Sequence, residues 1–432
     1  MPEQNRGFCL SLRGLLPLAA AMIICQFCPE TRVCPETRGD DVLQYVNRHT
    51  DTGMSDAVVV DDLPLVHTAQ ILPLKTDGAL AQTDIASQTA AVLDGLQVAL
   101  RSGGSSLNLT IKLNFYVTDV AGAHDVAGFL AAQFCGDHQP AVSFVVTALP
   151  LEGALVAADA VAVCRGESPG AVDPQLTGAV VPAGSRIYVA GQAEQSPSLA
   201  EATRKTLESL RATLQFLGRE IDDTVQLKAF LMPMQQAGTV QQEVERFFAP
   251  RRAPPLVLVE WKSSDTTPVE IELIAWGGQG APDAPAVEYL TPPGMTVSPV
   301  YSRVARISRT RTIYVSGLYA ASADPATMNE PAAGEREVRE VFAALHNALK
   351  PAKSDFQHLV KATYYVSTSA ASRKLNELRP LYYNPTRPPS ASKAEVTGVG
   401  RKGVGLTLDM IAVPAGSHYG AAAPAPRDTS RR

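Results

Sequence analysis

Apolar residues recur along this chain with one spacing in three places. Leu93, Leu96 and Leu100, then Leu207, Leu210 and Leu214, then Phe342, Leu345 and Leu349 each follow the three-then-four step of a helix with one buried face. From the last residue of each set it is 11 positions to the apolar residue that opens the next strand, Ile111, Val225 or Val360. A further 31 positions lead to Val142, Leu256 or Ala391, each in a strand introduced by proline. Two spacings kept in register three times mark one structural unit used three times.

The period of the pattern assigns the elements. Copy two is the clearest, with strand 186–191, helix 199–217, strand 225–232, helix 239–248 and strands 256–261 and 269–276. Copy three repeats the order with strand 312–317, helix 335–349, strand 360–367, helix 372–383 and strands 390–396 and 405–413. Copy one reads as strand 65–72, helix 85–100, strand 107–118, helix 124–134 and strands 141–149 and 155–164. Each copy is an α+β unit, a mixed sheet with two helices on one face. The other face of such a sheet must meet something, and two sister copies are the obvious partners. The expected partition is a leader and linker at 1–55, domains at 56–168, 176–280 and 287–416, and a disordered tail at 417–432.

Composition narrows the function classes. At 432 residues, 45% hydrophobic and 19% charged, the chain has room for three ordinary globular cores. A net charge of −5 offers no attraction to phosphate backbones or anionic lipid, which argues against nucleic acid as a partner. Four of the six cysteines, Cys9, Cys25, Cys28 and Cys34, precede the first copy, so the copies are not a disulfide scaffold. The repeated CPETR segment accounts for Cys28 and Cys34 without a metal, and no metal or cofactor is expected. The run from Leu15 to Cys25 follows Arg6 and Arg13 in the order of a secretory signal but is too short to span a bilayer. A cytoplasmic and an exported chain both fit that segment.

The copies resemble the Rid (reactive intermediate deaminase) or YjgF family over nearly the whole chain between Val58 and Pro414. The resemblance is carried by I-Y-V-A-G-Q at Ile187–Gln192 and I-Y-V-S-G at Ile313–Gly317, and by the helix ends Gly103–Gly104 and Gly218. The strands IKLNFYV and VKATYYV and the closing pair PPLVLVEW with VEIELIA complete it. The resemblance implies three tandem Rid-like, or chorismate-mutase-like, domains forming an intramolecular pseudo-trimer, so that one chain acts as a trimer with small-molecule clefts between domains. It also implies hydrolysis of enamines and imines to keto acids and ammonia, with an arginine after Pro-Ala holding the substrate carboxylate. That arginine is missing at all three matching positions, Val142, Leu256 and Ala391. Standard deaminase activity is therefore expected to be weak or lost, and a non-catalytic metabolite-binding or protein-binding module is the alternative.

Other positions follow from the same resemblance. The acidic residue of the last strand survives once, as Glu270, where the other copies have Ala157 and Thr407. Lys393, two residues after Ala391, projects from the same face and is a replacement cation, unless it pairs with Glu395 on that face. Gly191 and Gly317 border the family's cleft, with Thr68-Ala69-Gln70 in copy one. Asn376 stands where the second helix often carries asparagine, and Gln241 and Ala127 occupy that place in the other copies. Arg251, Arg252 and Arg387 precede the anchor strands and lie within reach of a cleft.

Overall fold

The computed structural model describes residues 43–75, 77–134, 136–166, 178–262, 266–281 and 283–416. Copy one runs β1 (Leu43–His49), β2 (Met54–Val60), β3 (Leu65–Thr68), α1 (Ile85–Ser102), β4 (Thr110–Val117), α2 (Val120–Gln133), β5 (Ala141–Val146) and β6 (Val156–Val163). Copy two runs β7 (Gly178–Val181), β8 (Ser185–Gln192), α3 (Leu199–Phe216), β9 (Thr224–Leu231), α4 (Ala237–Phe248), β10 (Leu256–Glu260) and β11 (Val269–Gly278). Copy three runs β12 (Val287–Leu290), β13 (Val304–Ile307), β14 (Thr312–Val315), α5 (Pro331–Leu349), β15 (Leu359–Val366), α6 (Ser369–Leu378), β16 (Ser390–Glu395), β17 (Gly398–Val399) and β18 (Leu406–Ala412).

The helices start where short polar side chains satisfy their free N–H groups. Asp84 accepts from the Ser87 N–H at 2.8 Å, and Thr368 accepts from the Ala371 N–H at 3.2 Å. All nine residues of the repeated spacing are buried. They seal one face of each sheet, which has the same heart in every copy. β5, β10 and β16 pair in parallel with β4, β9 and β15, which pair antiparallel with β6, β11 and β18. Next come β3, β8 and β14.

Beyond that point the strands change owners. β7, which opens copy two, pairs with β3 of copy one, while β12 and β13, which open copy three, are added to β8 of copy two. β1 and β2, at the start of copy one, are added to β14 of copy three, with Val60 opposite Thr312. Every sheet is thus completed by the copy that follows it, and the third by the first. The segment before Ser55, expected to be linker, holds β1 and leads into β2, because Val46 is buried only once this hairpin lies on copy three. The leader and tail lie outside the described residues.

The free faces of the sheets turn toward one another. Val58 and Ile111 of copy one, Tyr188 and Ile274 of copy two, and Tyr314 and Ile411 of copy three form one buried cluster. Beside it is a charged centre to which each copy gives an acid and a lysine. Lys361 pairs with Glu272 at 2.9 Å, and Asp409 pairs with Lys112 at 3.3 Å and Lys228 at 3.5 Å, each contact joining different copies. Asp159 instead accepts from the Tyr116 hydroxyl at 2.6 Å and from Asn114 at 3.1 Å. Burial pushes the Asp159 carboxyl up, whereas the three lysines overcome burial at Asp409 and hold its carboxyl far below the usual range.

Candidate functional site

Three junctions between copies place equivalent residues in the same register, and one differs from the other two. Where copy three meets copy one, the Gly317 N–H donates to the Val142 carbonyl at 2.8 Å. Where copy one meets copy two, Gln70 stands in the glycine position and its N–H donates to the Leu256 carbonyl at 3.0 Å. By analogy Gly191 would reach the Ala391 carbonyl where copy two meets copy three. Its N–H instead donates to the hydroxyl of Ser392 at 2.8 Å. The glycine position thus makes a main-chain bond at two junctions and a side-chain bond at the third, where the Lys262 N–H still joins the main chains of the two copies by donating to the Glu395 carbonyl at 2.8 Å.

Packing reinforces the closure of those two. At the first, the Ser316 hydroxyl accepts from the Val142 N–H at 2.8 Å, Thr407 is buried with its hydroxyl donating to the Leu318 carbonyl, and Val142 is 3% exposed. The Tyr319 ring fills the remaining space. A Cβ on Gly400 would lie 2.6 Å from its hydroxyl, and burial pushes that hydroxyl up to about 12. At the second, the Gln70 side chain binds the carbonyl of Leu258 at 3.1 Å and its N–H at 3.3 Å, and Ala157 is buried where the acid would stand.

The third junction holds the one acid of the set, Glu270. Glu270, in β11, is half-buried against Gly191; a Cβ on that glycine would lie 1.9 Å from the Glu270 Oε1. Only glycine lets the carboxyl rest on the main chain there. Burial first, and the neighbouring Glu272 second, raise the Glu270 carboxyl to about 7, with Ser392 and Arg303 pulling the other way. A carboxyl that changes protonation near neutral pH is suited to proton transfer.

Lys393 and Asn376 lie in copy three, on β16 and α6. β16 alternates, so Ala391, Lys393 and Glu395 share one half-buried face, which looks onto α6. Lys393 does not pair with Glu395. It donates to Ser372 at 3.1 Å and to the Asn376 Oδ1 at 3.3 Å, while Glu395 is held by Lys262 of copy two at 3.0 Å. Of the five positions expected to be functional, Glu270 and Gly191 meet at this junction, Gly317 lies at another, and Lys393 and Asn376 contact each other on the helix-facing side of β16. Ser392, Arg303 and Arg379 were missed. Ser392 differs from Ser143 of copy one only in its neighbour across the junction, which no local pattern reveals.

Two hollows lie elsewhere. A cavity of about 30 Å³ sits in the charged centre, and a cleft of about 420 Å³ at the outer edge of the second junction is lined by Arg251 and Arg252. Arg251 pairs with Asp222, and Arg387 lies 5.7 Å from the ring of Tyr289. Among the described residues no helix is long and apolar enough to cross a membrane, and no three His, Cys, Asp or Glu side chains gather as metal ligands.

The family model described as Endoribonuclease L-PSP matches residues 50–164, 169–276 and 295–414. No curated protein matches the chain. Solved structures similar to it include YyfB, a Rid-family protein of unknown function from Yersinia pestis, at 27% identity, covering 28% of this chain and 98% of that one with a TM-score of 0.26. Yeast Mmf1 is similar at 20% identity, covering 28% and 99% with a TM-score of 0.22. A YjgF family member from Neisseria meningitidis is similar at 16% identity, covering 30% and 94% with a TM-score of 0.21.

Proposed function

Because the chain belongs to the Endoribonuclease L-PSP family, also called Rid or YjgF, we propose that it is a three-domain pseudo-trimer with one working cleft, between copies two and three. The reading is slow hydrolysis of small imines at that cleft, with Glu270 as the acid and base. The observation that carries it is the position of the Glu270 carboxyl, half-buried on the bare main chain of Gly191 and raised to about 7.

The chemistry needs one group that can both take and return a proton. Water adds to the imine carbon as ionised Glu270 accepts one of its protons, and the protonated carboxyl gives that proton to the nitrogen, completing a carbinolamine. The carboxylate then takes the hydroxyl proton and passes it to the same nitrogen, so that the C–N bond breaks, the carbonyl forms and ammonia leaves. The sum is imine plus water to keto compound plus ammonia. Ser392 accepts from Gly191 and hydrogen-bonds Glu270, so it fixes the carboxyl between the two copies. With no arginine at Ala391, positioning is weaker than a bidentate anchor would give, which keeps the rate low. A ribonuclease reading is disfavoured by the net charge of −5.

The second reading is a ligand-binding module without turnover, and the closure of two junctions out of three favours it. One assay separates them. The purified chain is mixed with 2-iminobutanoate generated in place from threonine and a dehydratase, and release of 2-oxobutanoate is followed. Acceleration over buffer that disappears in Glu270→Gln supports hydrolysis, and no acceleration leaves the binding module.

A further inference from the structure

We propose that Arg379 and Lys393 form an anion-binding site on the helix-facing side of β16, taking the carboxylate of a small monoanionic acid with an apolar body. The proposal rests on reading the junction of copies two and three as the working cleft, and its test keeps the two ideas apart.

The argument starts from two cations held together without an anion. Lys393 spends its hydrogen bonds on neutral acceptors, the Ser372 hydroxyl and the Asn376 carbonyl oxygen. The Arg379 Nε is buried and has no partner among the described residues, and no carboxylate there lies within ion-pair distance of its guanidinium. The nearest acid on the shared face, Glu395, is engaged by Lys262. Burial first, and Arg379 second, make it harder for Lys393 to stay charged; burial does the same to Arg379. Two half-buried like charges with unfilled donors oppose folding unless an anion joins them.

The surroundings set the class of anion. The guanidinium carbon of Arg379 lies 6.0 Å from the ring of Tyr364, whose buried hydroxyl also lacks a partner. Tyr301 is close enough to Arg379 to act on its charge, and the Tyr301 ring lies 5.1 Å from Arg303, which in turn acts on Glu270. The arc from the cations to the catalytic carboxyl thus runs round the edge of β16. A guanidinium fork and a lysine match one carboxylate, and the half-buried Tyr301 ring suits an apolar body more than the full hydration of phosphate.

The test is calorimetric titration of the full chain with 2-oxobutanoate, benzoate and inorganic phosphate. Saturable carboxylate binding is expected, weakened about tenfold or more by Arg379→Gln and by Lys393→Gln, and unchanged within about twofold by Glu270→Gln. Without ligand, Arg379→Gln should melt higher than the parent chain, and benzoate should raise the melting temperature of the parent but not of the variant. Binding that both cation variants weaken and Glu270→Gln leaves intact would support the site whether or not the parent chain hydrolyses the imine. No saturable carboxylate binding, unchanged affinity in both cation variants, tighter binding of phosphate than of either acid, or a lower melting temperature for Arg379→Gln would each overturn the proposal.

Discussion

The junction of copies three and one and the junction of copies two and three use equivalent strands, yet one carries a threonine where the other carries an acid, and their glycines find different acceptors. At the first, Gly317 gives its N–H to a main-chain carbonyl, and Thr407 lies flat in the core. At the second, Gly191 gives its N–H to a serine hydroxyl, and Glu270 stands where Thr407 would be. The difference lies in the acceptor that the glycine N–H finds, a main-chain carbonyl at one junction and a serine hydroxyl at the other. The strands themselves still meet at the second, where the Ser302 N–H reaches the Pro389 carbonyl at 2.9 Å and the Lys262 N–H the Glu395 carbonyl at 2.8 Å.

The largest effect should come from the centre that both junctions share. Asp409→Asn would strip Lys112 and Lys228 of their buried partner and cost about 3–5 kcal/mol, read by urea unfolding as the loss of the whole fold rather than one copy. Because the Asp409 carboxyl is held low, its contribution is full above the usual aspartate range and drains away as acid titrates it. A smaller loss, or independent melting of one copy, would show that the junctions do not rest on a common floor.

Glu270→Gln should lower imine hydrolysis by about 100-fold or more, whereas Thr407→Val at the first junction should leave it unchanged. Gly191→Ala should nearly match the glutamate variant, since its Cβ would displace the carboxyl, while Gly317→Ala meets Thr407 at 3.1 Å and should cost stability alone. Equal kinetic effects at the two glycines would erase the comparison.

pH sharpens it further. If Glu270 is the base, kcat/KM should rise through about pH 7 and level off, and Ser392→Ala, which removes a bond favouring the ionised form, should move that midpoint upward. The raised carboxyl also contributes stability that is full below the ordinary glutamate range and is lost as pH rises through about 7. Glu270→Gln, always neutral, should therefore gain on the parent chain in melting temperature between pH 5 and pH 8. The smallest effect is at the remaining junction, where Gln70→Gly removes two side-chain hydrogen bonds and should cost about 1–2 kcal/mol in urea unfolding without creating activity.

The comparison also explains what was legible in the chain. The long helices and inner strands could be read because each buries one periodic face, and Leu207, Leu210 and Leu214 show that face without any neighbour in view. The acid, the glycines and the asparagine came from the resemblance to the family, carried onto this chain residue by residue. The exchanged strands could not be read. β7, β12 and β13 are four residues each; β7 and β13 pair with strands of another copy, and β12 hangs on β13. Their stability comes from a sheet far away in sequence, so local alternation carries little trace of them. Arg379 escaped for a similar reason, since its isolation from acids is a fact of packing across α6 and β16.

The return of β1 and β2 to copy three has a consequence for how the chain comes into being. Arg311 and Asp61, which tie this seam together, are 250 residues apart. While the protein emerges from the ribosome, its first hairpin has no edge to join until β14 has been synthesised. Copies one and two can settle early, but the last sheet must close on a segment made at the very beginning, against the loop entropy of most of the chain. Joining start to end is then the committing step of biogenesis, and a ribosome stalled before Thr312 would hold an unpaired strand edge exposed to aggregation.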